Sequence, residues 1–156
     1  MLFRSRHAEA ARTYQKVFFG YPLTAEATDA STRLQDLRLK MAAEYPAPAT
    51  ELWQQRADAL FARSRWKDAE TAYRSLAATA PDADVRQRAN VRVAVCQYQA
   101  GSTWPALNAL AEMQLGDTAA DAERLYIQSI GYRKLQRIDQ MQSFLEQLGK
   151  KYPSSP

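Results

Sequence analysis

The chain of 156 residues holds a single cysteine, Cys96, and a single histidine, His7. One cysteine closes no internal disulfide and fills no cysteine-rich zinc site. With the two so far apart in sequence, neither a Cys-His nor a Ser-His-Asp nucleophile is indicated. Branched aliphatics are scarce too: Val17, Val85, Val91, Val93, Val95, Ile127, Ile130 and Ile138 are all of them. Strands draw on such residues, so a sheet has little to be built from. Glycine and proline number only 5 and 7, too few for a collagen-like or linker-dominated chain. No apolar run is long enough to predict a membrane span. Met1-Leu-Phe-Arg-Ser-Arg lacks the apolar core of a signal peptide.

What fills the chain instead is Ala, Leu, Gln, Arg and Glu, the helix formers, which predicts an all-α protein. Hydrophobic residues at 46% and charged residues at 24% argue for a folded chain rather than disorder. A length near the usual single-domain size makes residues 1–156 one domain by expectation. Basic side chains outnumber acidic ones 21 to 17, for a net +4, but the two signs interleave as on solvated helix faces. The densest basic spots are Arg4/Arg6/Arg12, Arg86/Arg88/Arg92 and Arg133/Lys134/Arg137. None is a long single-sign run, and no aromatic stacking platform accompanies one, so no nucleic-acid partner is expected.

Proline, glycine and capping residues mark eight helices joined by short connections. Residues 2–21 form the first. Thr24 after Tyr21-Pro22 caps a run to about Glu44, and Tyr45-Pro46-Ala47-Pro48 breaks it. Thr50 caps the next, in which Trp53, Ala57, Leu60 and Phe61 recur at helical spacing. Trp66 to Ala78 follows and stops before Pro81. Asp82 to Tyr98 closes on Gly101. Ser102 or Thr103, with Pro105, starts a helix ending at Gly116. Asp117 or Thr118 to about Leu135, and Ile138 to Gly149, complete the set.

The helices repeat. Pro22 set under Pro81 brings Arg4-Ser5-Arg6 under Arg63-Ser64-Arg65, Ala10 under Ala69 and Tyr14 under Tyr73. From Thr50 to Ala83, Trp53, Ala57, Leu60, Ala69, Tyr73 and Pro81 take the aromatic, small, large, small, aromatic and proline places of a repeat of roughly 34 residues. Small residues at 57 and 69 would let two antiparallel helices approach, with Trp53, Leu60 and Tyr73 filling around the crossing. Arg56 departs from this pattern, which prefers leucine. A second copy carries Ala94, Gly101, Ala106 and Leu110; a third carries Leu125, Ser129, Tyr132, Met141, Leu145 and Pro153. Together these resemble tetratricopeptide repeats, which implies antiparallel helix pairs stacked as a right-handed superhelix. In that register residues 2–21 are the second helix of a pair. Tyr152-Pro153-Ser154-Ser155-Pro156 repeats the junction that launches a helix after Tyr21-Pro22. Both ends therefore read as uncapped, and the chain is expected to be part of a longer superhelix.

Chemistry finds little support. The closest carboxylate groupings, Asp82/Asp84, Asp117/Asp121 and Glu44/Glu51, fall at helix starts, where the dipole favours them. No phosphate loop or zinc spacing occurs, so no catalytic residue, cofactor or metal is expected. Cys96 reads as a small buried hydrophobe, Trp53 and Trp66 as packing residues, and Trp104 as partly exposed, able to stack a sugar or peptide. The tetratricopeptide register places Arg88, Val91, Val95, Tyr98 and Gln99 of the second copy on the concave face. Glu123, Tyr126, Ile130, Arg133 and Lys134 of the third join them. Of these, Arg88, Tyr98, Tyr126, Arg133 and Lys134 are the candidate partner-binding residues, a face of tyrosines and cations fit for an acidic or extended ligand. The bland alternative is that this face packs on the rest of the superhelix.

Certain phrases go further. Tyr14-Gln-Lys-Val-Phe-Phe-Gly-Tyr-Pro-Leu-Thr-Ala-Glu-Ala resembles helix junctions of bacterial envelope proteins with this repeat. Arg56-Ala-Asp-Ala-Leu-Phe-Ala-Arg-Ser-Arg-Trp-Lys-Asp-Ala-Glu and Ala122-Glu-Arg-Leu-Tyr are similar to stretches in soluble lytic murein transglycosylases. There they belong to the α-superhelix ahead of the catalytic domain. The resemblance implies a periplasmic, non-catalytic scaffold segment, with peptidoglycan reached only through a catalytic domain that this chain lacks. The family's Glu-Ser pair and Gly-Leu-Met-Gln segment are absent, so no catalytic residue carries over. The alternative is a free-standing tetratricopeptide adaptor for a protein or peptide in the cell envelope.

Overall fold

The computed structural model describes residues 2–116 and 119–153, with side chains from Arg6 onward. Eight α-helices and no strand occur among them: α1 (Leu2–Gly20), α2 (Ala25–Met41), α3 (Thr50–Ala62), α4 (Trp66–Thr79), α5 (Ala83–Gln99), α6 (Thr103–Ala111), α7 (Ala119–Lys134) and α8 (Ile138–Lys151). The all-α expectation holds. The chain divides into two compact units, Met1–Thr79 and Ala80–Pro156.

In the first unit, α1 packs along α2 and α3 along α4, and α1 also lies against α3. Thr24 caps α2 as expected, its hydroxyl accepting from the Ala27 N–H at 3.2 Å. The helix then tightens into a 3-10 turn over Ala42–Glu44. Thr50 does not cap α3: Ala49 holds the N-cap position and gives no side-chain bond. The α3–α4 pair bears out its repeat assignment, with Ala57, Leu60, Ala69, Tyr73 and Leu76 at or near zero exposure.

Residues 2–21 need correction. Within the described residues the α1 helix packs on α2 and also touches α3. Its buried positions are Ala11, Gln15 and Phe19, one residue beyond the Ala10 and Tyr14 that alignment on Pro22 selects. Proline fixes where a helix ends, but the buried face is set by the neighbours. Phe19 meets Trp53 of α3 edge to face at 4.6 Å, and the Gln15 amide donates to the Pro46 carbonyl at 2.8 Å. Arg56, where the pattern prefers leucine, lies on the α1 helix: its guanidinium sits 3.8 Å from the Phe18 ring centre and donates to the Phe18 carbonyl at 2.6 Å. Burial pulls the Arg56 guanidinium down from its usual range, and Asp68 pulls it back.

In the second unit, α5 pairs with α6 and α7 with α8, and α7 touches both α5 and α6. Asp82 caps α5, accepting from the N–H groups of Asp84 at 2.7 Å and Val85 at 3.1 Å. Those backbone bonds hold the Asp82 carboxyl below its usual range. The α6 helix stops at Ala111, five residues before Gly116, just past its last buried side chain, Leu110. The expected α7 caps, Asp117 and Thr118, lie outside the described residues, as do Ser154, Ser155 and Pro156. Where α7 crosses α6, Gly131 leaves no room: a Cβ there would stand 2.7 Å from Leu107 Cδ2.

Three of the four hairpins share one turn. Ser64, Gly101 and Gln136 each take a left-handed conformation, φ +57°, +96° and +58°. In each, the next residue's N–H reaches back five residues: Arg65 to Leu60 at 3.0 Å, Ser102 to Gln97 at 2.9 Å, Arg137 to Tyr132 at 2.9 Å. The left-handed residue itself bonds three back, to Phe61, Tyr98 and Arg133. This is the Schellman arrangement, which satisfies the last carbonyls of the first helix while reversing the chain. The α1–α2 junction at Pro22 has no left-handed residue. Structurally, then, the repeat starts at α3.

One carboxylate among the described residues is fully enclosed. Asp121, in the first turn of α7, has no exposed surface. Its Oδ1 accepts from Arg124 Nε at 2.7 Å, and its Oδ2 from Lys151 Nζ at 2.8 Å and the Tyr152 hydroxyl at 2.9 Å. The end of α8 is thereby tied to the start of α7. Burial raises the Asp121 carboxyl, but the bonds from Lys151, Arg124 and Tyr152 together outweigh it, and its pKa falls below the usual value.

Two predictions follow from these contacts. A depressed carboxylate stabilises above its unfolded pKa, about 3.9, and that stability is lost as pH falls through the lower folded value. Asp121→Asn should therefore lower the unfolding free energy at pH 7 by about 2 kcal/mol, with the gap to the parent closing below about pH 4; chemical unfolding across pH measures it. Gly101→Ala should cost about 1 kcal/mol and Gln136→Gly should add a few tenths, because only glycine takes positive φ without strain; urea titration of both variants decides.

Candidate functional site

The five candidate residues all lie in the second unit, on α5 and α7, the first helices of the two hairpins. Arg88, Arg133 and Lys134 are exposed, Tyr98 is half-buried, and Tyr126 keeps 48% of its surface in water. Spacing explains the stripes. Residues 126, 130 and 133 recur on one side of α7, and residues 88, 91, 95 and 98 on one side of α5. Among the other inward positions, Gln99 is exposed, and Glu123 and Ile130 are partly covered. Val91 and Val95 are different: at 0% and 3% exposure they are core, not lining. Branched aliphatics are rare in this chain, and α5 uses them to fill its interior.

Two contacts bring the α5 and α7 stripes together. Arg92 Nε meets Glu123 Oε2 at 3.2 Å, and the Lys134 ammonium lies 5.4 Å from the centre of the Tyr98 ring. Arg92, midway along α5, meets Glu123 in the second turn of α7, and Tyr98 near the end of α5 meets Lys134 at the end of α7, so the two helices run parallel. Burial raises the Glu123 carboxyl above its usual range, against the pull of Arg92. The Lys134 contact is a cation–π pair, worth roughly 0.5–1 kcal/mol at an exposed site. Arg133 and Lys134 also sit in the last turn of α7, where cations offset the helix dipole. Among the described residues neither Arg88 nor Arg133 forms an ion pair, so their guanidinium donors face solvent. At the head of this face a small cleft is lined by Asp84, Gln87, Arg88, Ala119 and Ala120.

The remaining candidates sort plainly. Cys96 is fully buried, which removes it from solvent chemistry. Trp53 packs on Phe19, and Trp66 lies edge to face with Phe61 at 5.0 Å. Trp104 is 46% exposed, as expected, and stands edge-on to Tyr132, which in turn stacks on Phe144 at 5.5 Å. Of the acidic groupings, Asp82 caps a helix and Asp121 is locked among cations, while Asp117 lies outside the described residues. Among the described residues no group of three His, Cys, Asp or Glu side chains could hold a metal ion, and no helix is long and apolar enough to cross a membrane.

Sequence reading missed two groups. Asp121 and Arg124 are visible as a helical pair, but Lys151 and Tyr152 join them from thirty residues away. The third copy also departs from its siblings. Leu125 and Ser129 are buried like Ala57 and Ala94, yet Met141 is only half-covered and Leu145 is 45% exposed, where Ala69, Tyr73, Ala106 and Leu110 are buried.

Comparison with known proteins matches residues 125–155 to the tetratricopeptide repeat. That span is the third copy, from Leu125 through Pro153, and it includes all of α8. No curated protein and no solved structure matches the chain. The chain thus carries a tetratricopeptide-like helical repeat within an all-helical fold, the kind of repeat that serves as a scaffold for protein interaction.

Proposed function

We propose that the chain is a non-catalytic scaffold that holds a protein or peptide partner on the α5–α7 face. The observation that carries this reading is the register of that face. Arg92–Glu123 and Lys134–Tyr98 lock two parallel helices side by side, leaving Arg88, Tyr126 and Arg133 turned to water on neighbouring stripes. Rigid helices presenting aromatic and arginine side chains supply what interfaces most often use as anchors. The same surface gives no support to catalysis, since it holds no nucleophile paired with a base.

The finer reading places this scaffold in the superhelix of a periplasmic peptidoglycan lytic transglycosylase. Its support is the phrases at Arg56–Glu70 and Ala122–Tyr126, whose residues build α3, α4 and the first half of α7. The chemistry would then belong to a catalytic domain elsewhere in the parent protein. The free-standing envelope adaptor shares the fold and differs only in what the scaffold serves.

The double variant Arg133→Ala/Lys134→Ala should lose partner capture from a lysate of the source cells, while loss of the Lys134–Tyr98 contact and of two last-turn cations lowers its melting temperature by only about 3–6 °C. Unchanged capture would overturn the assignment of the face. The purified chain should release no muropeptides from murein sacculi; release would overturn the non-catalytic reading.

A further inference from the structure

A second surface, apart from the α5–α7 face, is presented by α8. Ile138, Met141, Leu145 and Leu148 gather on one side of this helix. Helices α2 to α7 all bury part of their apolar side, whereas α8 buries no residue. Phe144 and Lys151 turn one edge of it to α7, through the Tyr132 ring and the Asp121 carboxylate. The other edge carries Ile138 at 48% exposure and Leu145 at 45%. The second copy shows what such an edge can receive. Thr103 and Leu110 of α6, 35 residues before Ile138 and Leu145, are buried, and Leu107 between them meets α7 at Gly131. In α8 the place of Leu107 goes to Gln142, an exposed amide. A further helix pair laid on α8 as α7 lies on α6 would enclose that amide in an apolar contact, which is unfavourable unless it finds a hydrogen-bond partner. A two-fold contact supplies one, because an amide both donates and accepts and so can pair with its own counterpart.

We propose that α8 is a self-association surface, on which the α8 of a second copy packs antiparallel about a two-fold axis passing near Gln142. Ile138, Gln142, Leu145 and Gly149 recur at four, three and four residues, along one side of the helix. Reversal sets Ile138 of each copy over Gly149 of the other, and Leu145 beside Gln142. A Cβ at Gly149 would meet nothing within 4 Å, so the branched Ile138 finds room there. Asp139 near the start of α8 and Lys150 near its end then meet crosswise, whereas a parallel pair would set each against its own kind. Glu146 holds Lys150 loosely, at 4.0 Å with both side chains largely in water, so Lys150 can turn to Asp139 of the other copy. Such a contact uses the same patch twice and closes at two copies. The 14 residues of α8 span about 21 Å and cover less than a standard stable interface, so the dimer is weak and concentration-dependent.

The test is sedimentation equilibrium of the intact chain from about 5 to 500 µM, over which the mean mass should climb from monomer towards dimer. Leu145→Glu should weaken association at least tenfold, and its melting curve at the lowest concentration checks the fold. Ile138→Gln provides the same reading should the glutamate variant melt early. Asp139→Lys alone should weaken association about fivefold, and Asp139→Lys/Lys150→Asp should recover it to within about twofold of the parent. A monomer at every concentration overturns the proposal and leaves the α8 face to a partner of another kind. A dimer indifferent to both apolar variants overturns it too, because another surface must then hold the copies together. A charge exchange that restores nothing overturns the antiparallel arrangement on which the proposal rests. The scaffold reading of the α5–α7 face stands or falls separately, since none of these variants touches it.

Discussion

Everything in the molecule depends on how closely two helices can approach when a turn of a few residues joins them. At the α3–α4 and α5–α6 pairs the chain supplies alanine on both sides, Ala57 and Ala69, then Ala94 and Ala106, all at zero exposure. Larger residues, Leu60, Tyr73, Leu76, Leu107 and Leu110, fill in around them. Gly131 extends the rule to the contact between pairs, taking Leu107 where a methyl group would collide. Close-packed interiors tolerate little change in volume, so these small residues determine where the helices lie.

That constraint reaches the candidate face through α5 and α7. The buried side of α5 carries Val91, Ala94 and Val95, with Tyr98 half-buried along the same stripe and Arg88 exposed at its start. The position of α7 is set from three directions: Gly131 against α6, Arg92–Glu123 and Lys134–Tyr98 against α5, and the Asp121 cluster tying its first turn to the end of α8. A face that serves recognition gains from such support, because side chains already in place lose less freedom on binding. The buried ionic cluster is an expensive way to obtain it, which favours a role in fixing helix position over one in net stability.

Much of this was legible in the residues. Helix content followed from composition, and Thr24, Asp82 and Gly101 marked ends because each supplies a local physical device, a cap or a left-handed turn. Reasoning failed wherever the cause was not local. The junction at Pro22 resembled that at Pro81, but the buried side of α1 is chosen by Phe19 meeting Trp53 and Gln15 meeting Pro46, and no proline encodes that. Val91 and Val95 were placed on the open face by register alone, and they are core. Ser64 and Gln136 do glycine's job without being glycine, so only the match with Gly101 across copies could have exposed them.

The third copy offers the sharpest comparison, since Met141 stands where the second copy has Ala106, and only Ala106 is enclosed. If small residues at the crossings hold the fold, enlarging the enclosed one is costly and trimming the open one is not. The most direct measurement is therefore urea unfolding of Ala106→Met beside Met141→Ala, each in the intact chain. The expected result is a loss of about 2–3 kcal/mol for the first and under about 1 kcal/mol for the second. An Ala106→Met variant as stable as the parent would contradict the account.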